Sequence, residues 1–187
     1  MKIEPTYQKL RGGYYTPKPI SDFIARWAIK SKSAKVLEPS CGDGNLLESS
    51  VEVFLQFGAN NDEISHNLNG IEFDADESQK AKERLKRLGL PSTPNLVRTG
   101  DFFSHCVRFL DEQKSFDAII GNPPFIRYQN FLEEHRVVAF DIMKRAGLHP
   151  NRLTNSWVPF LISSSLLLNS TGRLGMVIPA ELFQVNY

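Results

Sequence analysis

The chain has 187 residues, of which 41% are hydrophobic and 23% are charged, so its composition is that of an ordinary globular domain and not of a disordered segment. Its 22 basic and 21 acidic residues give a net charge of +1, so any nucleic-acid binding has to come from a local patch. The two isolated cysteines and four scattered histidines argue against a disulfide framework or a metal site, and no apolar run is long enough for a membrane span. We therefore expect a cytoplasmic protein that binds no metal and no membrane.

Periodicity and turn residues divide the chain into alternating predicted helices and strands. A helix over 19–31 comes first, and its apolar face is predicted to carry Ile20, Phe23, Ile24, Trp27 and Ala28. Further helices are predicted directly after the first strand and over 74–90, 131–148 and 154–169, whereas the polar stretch 57–69 is expected to be an exposed loop. The five predicted strands are 35–40, 69–74, 95–103, 116–124 and 172–179. This alternation predicts an α/β fold with a mostly parallel sheet.

Chemically unusual segments end four of the five predicted strands. They are 38–44 (EPSCGDG), 72–74 (EFD), 100–103 (GDFF) and 122–125 (NPPF). Ligands of open α/β sheets bind beyond the carboxyl ends of the strands, so we expect these four segments to converge on one site.

The first segment places Gly42 and Gly44 in a turn between a strand and a helix, where glycines let the backbone approach a ligand closely. A pyrophosphate-binding turn would need a third glycine at Leu47, and the acids Glu38 and Asp43 would repel a phosphate. An acid-lined turn suits a ligand with positive charge and no phosphate, such as S-adenosylmethionine. An ordinary strand–helix turn is the alternative interpretation.

The next two strand ends supply candidate ligands for the adenosine part of that cofactor. Glu72 is placed to accept hydrogen bonds from both ribose hydroxyls. Asp101 is expected within reach of the exocyclic adenine amine, with Phe102 or Phe73 beside the ring. A helix cap or turn aspartate is the alternative role for Asp101.

The tetrapeptide Asn122-Pro123-Pro124-Phe125 is unusual for a strand end because it puts two rigid imides between an amide and an aromatic ring. An exocyclic amine is a poor nucleophile, since its lone pair is delocalised into the π system. Two fixed acceptors, the Asn122 side-chain carbonyl and the Pro123 backbone carbonyl, would hold both amine hydrogens and localise that lone pair. Phe125 would stack on the target ring. A proline turn that only ends a strand is the alternative.

These motifs and their order resemble those of N6-adenine-specific DNA methyltransferases of bacterial restriction–modification systems. GGYYTP (12–17) is similar to the amino-terminal motif that closes over the methionine end of the cofactor, and NPPF is similar to the catalytic tetrapeptide. The resemblance covers nearly the whole chain. It implies a Rossmann-like, S-adenosylmethionine-dependent methyltransferase fold with a mostly parallel twisted sheet and helices on both faces.

The resemblance also implies the residues of the site and the extrusion of the target adenine from the duplex. The catalytic residues it implies are Asn122, Pro123, Pro124 and Phe125. The cofactor-binding residues it implies are Tyr15, Thr16, Glu38, Ser40, Cys41, Gly42, Glu72, Phe73, Asp101, Phe102 and Asn122.

Residues 1–187 are predicted to form one cofactor-binding catalytic domain, with the amino-terminal motif and helix in 1–33 and the Rossmann-like core in 34–187. The family's sheet has two further strands and its members carry a target-recognition region, so we expect an amino-terminal fragment with a sheet incomplete at its carboxyl end. The expected partners are double-stranded DNA and the nuclease and target-recognition regions of a longer parent polypeptide or a separate subunit.

Three alternatives stay open. Enzymes that methylate guanine N2 in ribosomal RNA or glutamine N5 in protein use the same tetrapeptide chemistry, although GGYYTP and the helix after NPPF favour adenine in DNA. A non-catalytic subunit would have no chemical need for an intact tetrapeptide. Finally, Arg127, Tyr128 and Gln129 either contact phosphates or fill the gap in the duplex, or they form a solvated loop.

Overall fold

A computed structural model of the chain, which describes residues 15–91 and 96–183, contains a five-stranded sheet in which every pairing is parallel. The strands are β1 (Val36–Glu38), β2 (Leu68–Glu72), β3 (Val97–Thr99), β4 (Phe116–Gly121) and β5 (Leu168–Met176). Their spatial order is β3-β2-β1-β4-β5. The order reverses between β1 and β4, so the carboxyl ends of these two strands border the crevice where open α/β sheets bind ligands. The predicted α/β class and parallel sheet are confirmed.

Seven α-helices connect or precede these strands within the described residues. They are α1 (Lys18–Ala28), α2 (Asn45–Gln56), α3 (Asn61–Asn67), α4 (Ala75–Arg87), α5 (Phe102–Asp111), α6 (Glu133–Arg145) and α7 (Trp157–Leu166). Short 3-10 turns cover Tyr128–Asn130 and Ala180–Phe183. None of these described helices is both long and apolar enough to cross a membrane.

Two hydrophobic clusters lie on the opposite faces of the sheet, because neighbouring strand residues point to opposite sides. Val36 belongs to the cluster that contains α1, α2, α3 and α4, whereas Leu37 belongs to the cluster of α5, α6 and α7. Strand β4 alternates in the same way, with Ile120 on the first face and Ile119 on the second. The prediction of helices on both faces is therefore confirmed.

The predicted apolar face of the first helix is wrong in part. Helix α1 buries Ser21, Ile24, Ala25 and Ala28, whereas Phe23 is 70% exposed and Ile20 and Trp27 are also exposed. The helix lies close to β5, where a Cβ added to Gly175 would come within 2.9 Å of the Ile24 side chain. The absence of a side chain at Gly175 permits this approach, and Trp27 also comes within 3.7 Å of the same point although it is partly exposed.

Two local predictions also need correction. The stretch predicted as an exposed loop contains α3, which starts with a capping box in which Asn60 and Glu63 exchange side-chain and backbone hydrogen bonds. The predicted strand 95–103 is too long, since β3 ends at Thr99 and Phe102 already begins α5. Asn95 and the part of GGYYTP over 12–14 lie outside the described residues.

Candidate active site

Glu72, the last residue of β2, joins two neighbouring strand ends through its carboxylate. Its Oε2 accepts the Gly42 N–H at 2.7 Å, and its Oε1 accepts the Asp74 N–H at 2.8 Å. Each carboxylate oxygen has further acceptor capacity, so these two bonds orient the group and still leave it able to accept from hydroxyls. The structure thus places Glu72 beside the glycine turn, as its predicted role in ribose binding requires.

Glu38, the last residue of β1, is a buried acid behind the same turn. It is 2% exposed, and its Oε2 has no hydrogen-bond partner among the described residues. Burial, followed by the nearby charges of Glu72 and Asp43, raises the pKa of Glu38 well above its usual range, and the Leu47 backbone N–H opposes this only in part. A donor brought against Oε2 would therefore be favourable, because it would give this oxygen the hydrogen bond that it lacks among the described residues.

The glycine turn combines an open face with a closed one. Gly42 has φ +51° and Gly44 has φ +88°, which are left-handed values that favour glycine. A Cβ at Gly42 would meet nothing within 4 Å, whereas a Cβ at Gly44 would lie 3.1 Å from the Ala81 backbone in α4. Gly44 therefore permits helix packing, and Gly42 leaves room for a ligand next to the turn.

Asp43 does not line this open side as the sequence suggested. Its Oδ2 accepts from Arg84 at 2.6 Å, the Arg84 Nε donates to its backbone carbonyl at 2.8 Å, and the same guanidinium reaches Glu48. The Asp43 carboxylate is thereby paired with Arg84 and serves to fix the turn on α4. The acids that face the predicted cofactor position are Glu38 and Glu72, so the argument from an acid-lined turn rests on those two residues.

Ser40 and Cys41 have different positions in the same turn. The Cys41 side chain is buried in the core, its backbone N–H donates to the Ile71 carbonyl, and burial followed by the charge of Glu38 raises the pKa of its thiol. Ser40 is half-buried, and its hydroxyl lies 3.4 Å from the Asn122 backbone carbonyl. Any cofactor contact from Cys41 would thus come from its backbone, while Ser40 links the glycine turn to the tetrapeptide.

Asp101 caps α5 and also contacts a histidine. Its Oδ2 accepts from the Ser104 backbone N–H and hydroxyl, both at 2.8 Å, so the helix-cap alternative is confirmed. Its Oδ1 lies 3.2 Å from Nδ1 of His135, which α6 brings to this strand end. The predicted contact of Asp101 with an adenine amine would use the oxygen that now faces His135.

The two aromatic candidates for the adenine ring differ in accessibility. Phe73 is 53% exposed, and its ring meets the His135 ring edge-on with centroids 4.9 Å apart. The Phe102 ring is buried and stacks on Phe160 at 5.2 Å, so only its backbone can face a ligand here. Phe73 is accordingly the ring that is available next to Asp101, and the adenine contacts remain a prediction.

Tyr15 and Thr16 are the described part of the amino-terminal motif. The Tyr15 hydroxyl lies 3.0 Å from Glu77 in the first turn of α4, directly after the end of β2. Thr16 is buried, and its carbonyl accepts from Ser21 at the start of α1. The motif therefore ends next to the glycine-turn side of the sheet, and its contact with a cofactor remains a prediction.

The tetrapeptide begins directly after β4, next to β1 in the sheet. Asn122 has its side-chain oxygen shielded from solvent, Pro123 is buried, and Pro124 and Phe125 are half-buried. Pairing of Val36 with Ala118 aligns β1 with β4, and the Ser40 contact closes the gap between their ends. The fold thus brings the glycine turn and the tetrapeptide to the same crevice.

The residues after the tetrapeptide divide into exposed and fixed positions. Arg127 and Gln129 are exposed. Tyr128 is covered by Arg136, whose guanidinium lies 4.2 Å from the ring centroid and donates to the Tyr128 carbonyl at 3.1 Å. The structure leaves both interpretations of this segment open.

Sequence reasoning missed three residues that shape the site: Arg84, His135 and Ser156. Arg84 fixes the glycine turn, His135 faces Asp101, and Ser156 bonds to the backbone on both sides of Phe125. Each lies on a different element from its partner. An acid pair around a glycine turn is the one sequence signal that could have suggested a basic partner such as Arg84.

Comparison with known proteins gives the following matches. The Eco57I restriction-modification methylase family matches residues 28–187. The type II methyltransferase M.HincII of Haemophilus influenzae is 28% identical over 174 residues, which cover 92% of this chain and 28% of that protein. The chain therefore spans less than a third of this relative's length.

Solved structures agree on the fold. A protein of Listeria monocytogenes assigned to the class I S-adenosylmethionine-dependent methyltransferases matches with a TM-score of 0.68 at 15% identity, over 93% of this chain and 49% of that chain. The DrdV–DNA complex matches with a TM-score of 0.71 at 15% identity, over 97% of this chain and 22% of that one. At these identities the likeness concerns the fold alone, which is that of S-adenosylmethionine-dependent methyltransferases.

Proposed function

Because the chain belongs to the Eco57I restriction-modification methylase family, we propose that it carries the cofactor-binding and catalytic part of an adenine-specific DNA methyltransferase. The reaction moves a methyl group from S-adenosylmethionine to the exocyclic N6 of an adenine. The observation that carries the proposal is the position of Asn122–Phe125 at the carboxyl end of β4, with Ser40 of the glycine turn 3.4 Å from the Asn122 carbonyl.

The residues around β1 and β2 fit the cofactor. Gly42 leaves open space beside the turn, Glu72 holds a carboxylate oriented by two backbone N–H groups, and Glu38 has one buried oxygen, Oε2, without a hydrogen-bond partner among the described residues. Glu72 would accept from the ribose hydroxyls, and Glu38 would lie behind the methionine part together with Ser40 and the turn backbone. Tyr15 and Thr16 would cover this end.

The adenine end of the cofactor would lie between Asp101 and the exposed ring of Phe73. The amine would take the place of His135, whose Nδ1 now lies 3.2 Å from Oδ1 of Asp101. The ring of Phe73 would likewise exchange its edge contact with His135 for the cofactor's ring. Cofactor binding is thus proposed to include a displacement of His135.

Asn122 and Pro123 would activate the target amine. When bound, the cofactor supplies an electrophilic methyl group. The Asn122 side-chain oxygen and the Pro123 carbonyl would accept the two hydrogens of N6, which draws the nitrogen toward a tetrahedral geometry and localises its lone pair. Transfer would form the N6–CH₃ bond as the bond from sulfur to the methyl carbon breaks, and the methylated amine held by Asn122 and Pro123 would lose one proton to solvent. No strongly basic side chain is required.

Phe125 would stack on the target ring once the adenine has left the duplex. Base extrusion is part of the proposal because N6 inside a duplex cannot reach a crevice between two strand ends. Double-stranded DNA is the proposed partner. The nuclease and target-recognition functions of the restriction–modification system are proposed to reside in a longer polypeptide or another subunit.

The experiment that tests this proposal is methyl transfer from labelled S-adenosylmethionine to a mixture of duplex DNA, ribosomal RNA and a release-factor protein, followed by digestion and mass spectrometry. We expect N6-methyladenine from DNA. Methylguanine from RNA or methylglutamine from protein would assign the same chemistry to another acceptor. An absence of cofactor binding, measured separately by calorimetry, would contradict the proposal at its first step.

A further inference from the structure

Ser156, the residue before α7, forms three hydrogen bonds with the backbone around Phe125. Its Oγ accepts the Ile126 N–H at 2.8 Å and donates to the Pro124 carbonyl. Its own backbone N–H donates to the Ile126 carbonyl at 2.9 Å. Ser156 is 1% exposed, so water has little access to compete for the hydroxyl.

These contacts determine the orientation of Phe125 in particular. The Pro124 carbonyl lies in the peptide plane before the Phe125 Cα, and the Ile126 N–H lies in the peptide plane after it. Because a single hydroxyl holds both planes, both backbone dihedral angles of Phe125 are restrained. The direction of the Phe125 Cβ follows from those two angles, and the side-chain torsions χ1 and χ2 then place the ring from that starting point.

The tetrapeptide needs an external support of this kind. Pro123 and Pro124 have no N–H, so the backbone cannot donate hydrogen bonds until Phe125. A hydroxyl is the smallest side-chain group that can accept from one peptide and donate to another at the same time. Alanine would lose both bonds, and cysteine would keep about the same volume with much weaker bonds.

We propose that Ser156 is a positioning residue for methyl transfer: it fixes both peptide planes around Phe125 and thereby aims the stacking ring at the target base. The proposal rests on the proposed function, in which Phe125 stacks on a flipped base. Ser156 acts through Phe125 and has no role in cofactor binding.

The test compares Ser156→Ala, Ser156→Cys and Ser156→Thr with the parent chain. Ser163→Ala is the matched control, because Ser163 is a fully buried serine of α7 whose hydroxyl has no hydrogen-bond partner among the described residues. Three quantities are measured for each variant: the hydrogen-exchange rate of the Ile126 amide by NMR, the affinity for S-adenosylmethionine by calorimetry, and the rate of methyl transfer to DNA at saturating cofactor.

We expect Ser156→Ala and Ser156→Cys to exchange the Ile126 amide faster and to transfer methyl about 10- to 100-fold more slowly, the scale for a misplaced reacting group. Cofactor affinity should stay within about twofold of the parent, since no cofactor ligand is removed. Ser156→Thr keeps the hydroxyl and should stay near the parent in all three quantities. Ser163→Ala should do the same.

Two results would overturn the inference. One is an unchanged Ile126 exchange rate in Ser156→Ala, and the other is parental methyl transfer in that variant despite faster exchange. An equal loss in Ser163→Ala would also overturn it, by showing a general effect of α7. Failure of the proposed function has a separate signature: Asn122→Ala would transfer methyl at the parental rate, while the Ile126 exchange would still respond to Ser156→Ala.

Discussion

Strands β2 and β4 end at the same edge of the sheet, but their ends are built in opposite ways. After β2, backbone N–H groups converge on a side chain: Glu72 accepts from Gly42 and Asp74. After β4, Pro123 and Pro124 have no backbone N–H, so acceptor groups outnumber backbone donors along the tetrapeptide.

This difference matches what each end is proposed to bind. A carboxylate held by two N–H groups is fixed in position and still accepts from ribose hydroxyls. A target amine brings two hydrogens, and a strand end in which Pro123 and Pro124 lack an N–H has fewer backbone donors to compete for its acceptors. The proposed cofactor side is thus held by backbone N–H donors, whereas the proposed catalytic side has fewer of them because of its two prolines.

The largest expected effect comes from removing an acceptor on the β4 side. Asn122→Ala should lower methyl transfer by at least about 100-fold, the scale of losing one preorganised catalytic group, with little change in cofactor affinity. Single-turnover transfer and calorimetry on the same preparations measure the two quantities. An equal loss of cofactor affinity would show that Asn122 also contributes to cofactor binding, and that the roles of the two strand ends are not separate.

Glu72→Ala tests the β2 side. We expect cofactor binding to weaken by about 1.5–3 kcal/mol, the value of hydrogen bonds to a charged group, which corresponds to roughly 10- to 150-fold in Kd. Titration calorimetry gives the value directly, and Glu112→Gln, a change at an exposed acid that pairs with Arg108 and Lys114, is the control. Unchanged affinity would remove Glu72 from the proposed cofactor contacts.

Glu38→Gln tests the buried acid through stability. The folded state raises the pKa of Glu38, so the folded chain binds this proton more tightly than the unfolded chain does. The stability that the proton contributes is therefore lost as the pH rises above the ordinary pKa of 4.5. The variant should become more stable than the parent above that pH, with a difference that grows by at most about 1.4 kcal/mol per pH unit. Below pH 4.5 the two should coincide. Urea unfolding between pH 4 and pH 8 (about the range in which most domains stay folded) measures this, and a constant difference at all pH values would contradict it.

His135→Ala is expected to have the smallest effect. Cofactor affinity should rise by about 2- to 10-fold, the value of one hydrogen bond, because Asp101 would no longer have to release the imidazole. His149→Ala, at an exposed position, is the control. Weaker binding in His135→Ala would instead make this histidine a cofactor contact.

Patterns that depend on near neighbours in the chain were predictable. Asp74 and Asp101 bond to N–H groups two or three residues ahead, so their helix-cap geometry is a local property of the sequence. The rigid tetrapeptide and the alternation of strands and helices are local in the same sense. These features led to the parallel sheet and to the four strand ends that form the candidate site.

Partners that come from another element were not predictable. The Arg84 bond to Asp43, the His135 contact with Asp101 and the Ser156 bonds around Phe125 each join residues that are about 30 or more positions apart. Such pairings depend on how the helices pack, which no local pattern of the sequence specifies. The buried face of α1 is a similar case. Which of its side chains are buried depends on how closely the helix approaches Gly175 of β5.

The sequence by itself therefore determined the class of fold, the order of the strand-end motifs and the acceptor chemistry of the tetrapeptide, because hydrophobic alternation, helix caps and imide bonds act within a few residues. Only the tertiary structure decided which acids lie beside the glycine turn without a basic partner, which side chain faces Asp101 and what holds Phe125. Those outcomes depend on how helices pack across the sheet, where a contact forms only after distant segments have been brought together.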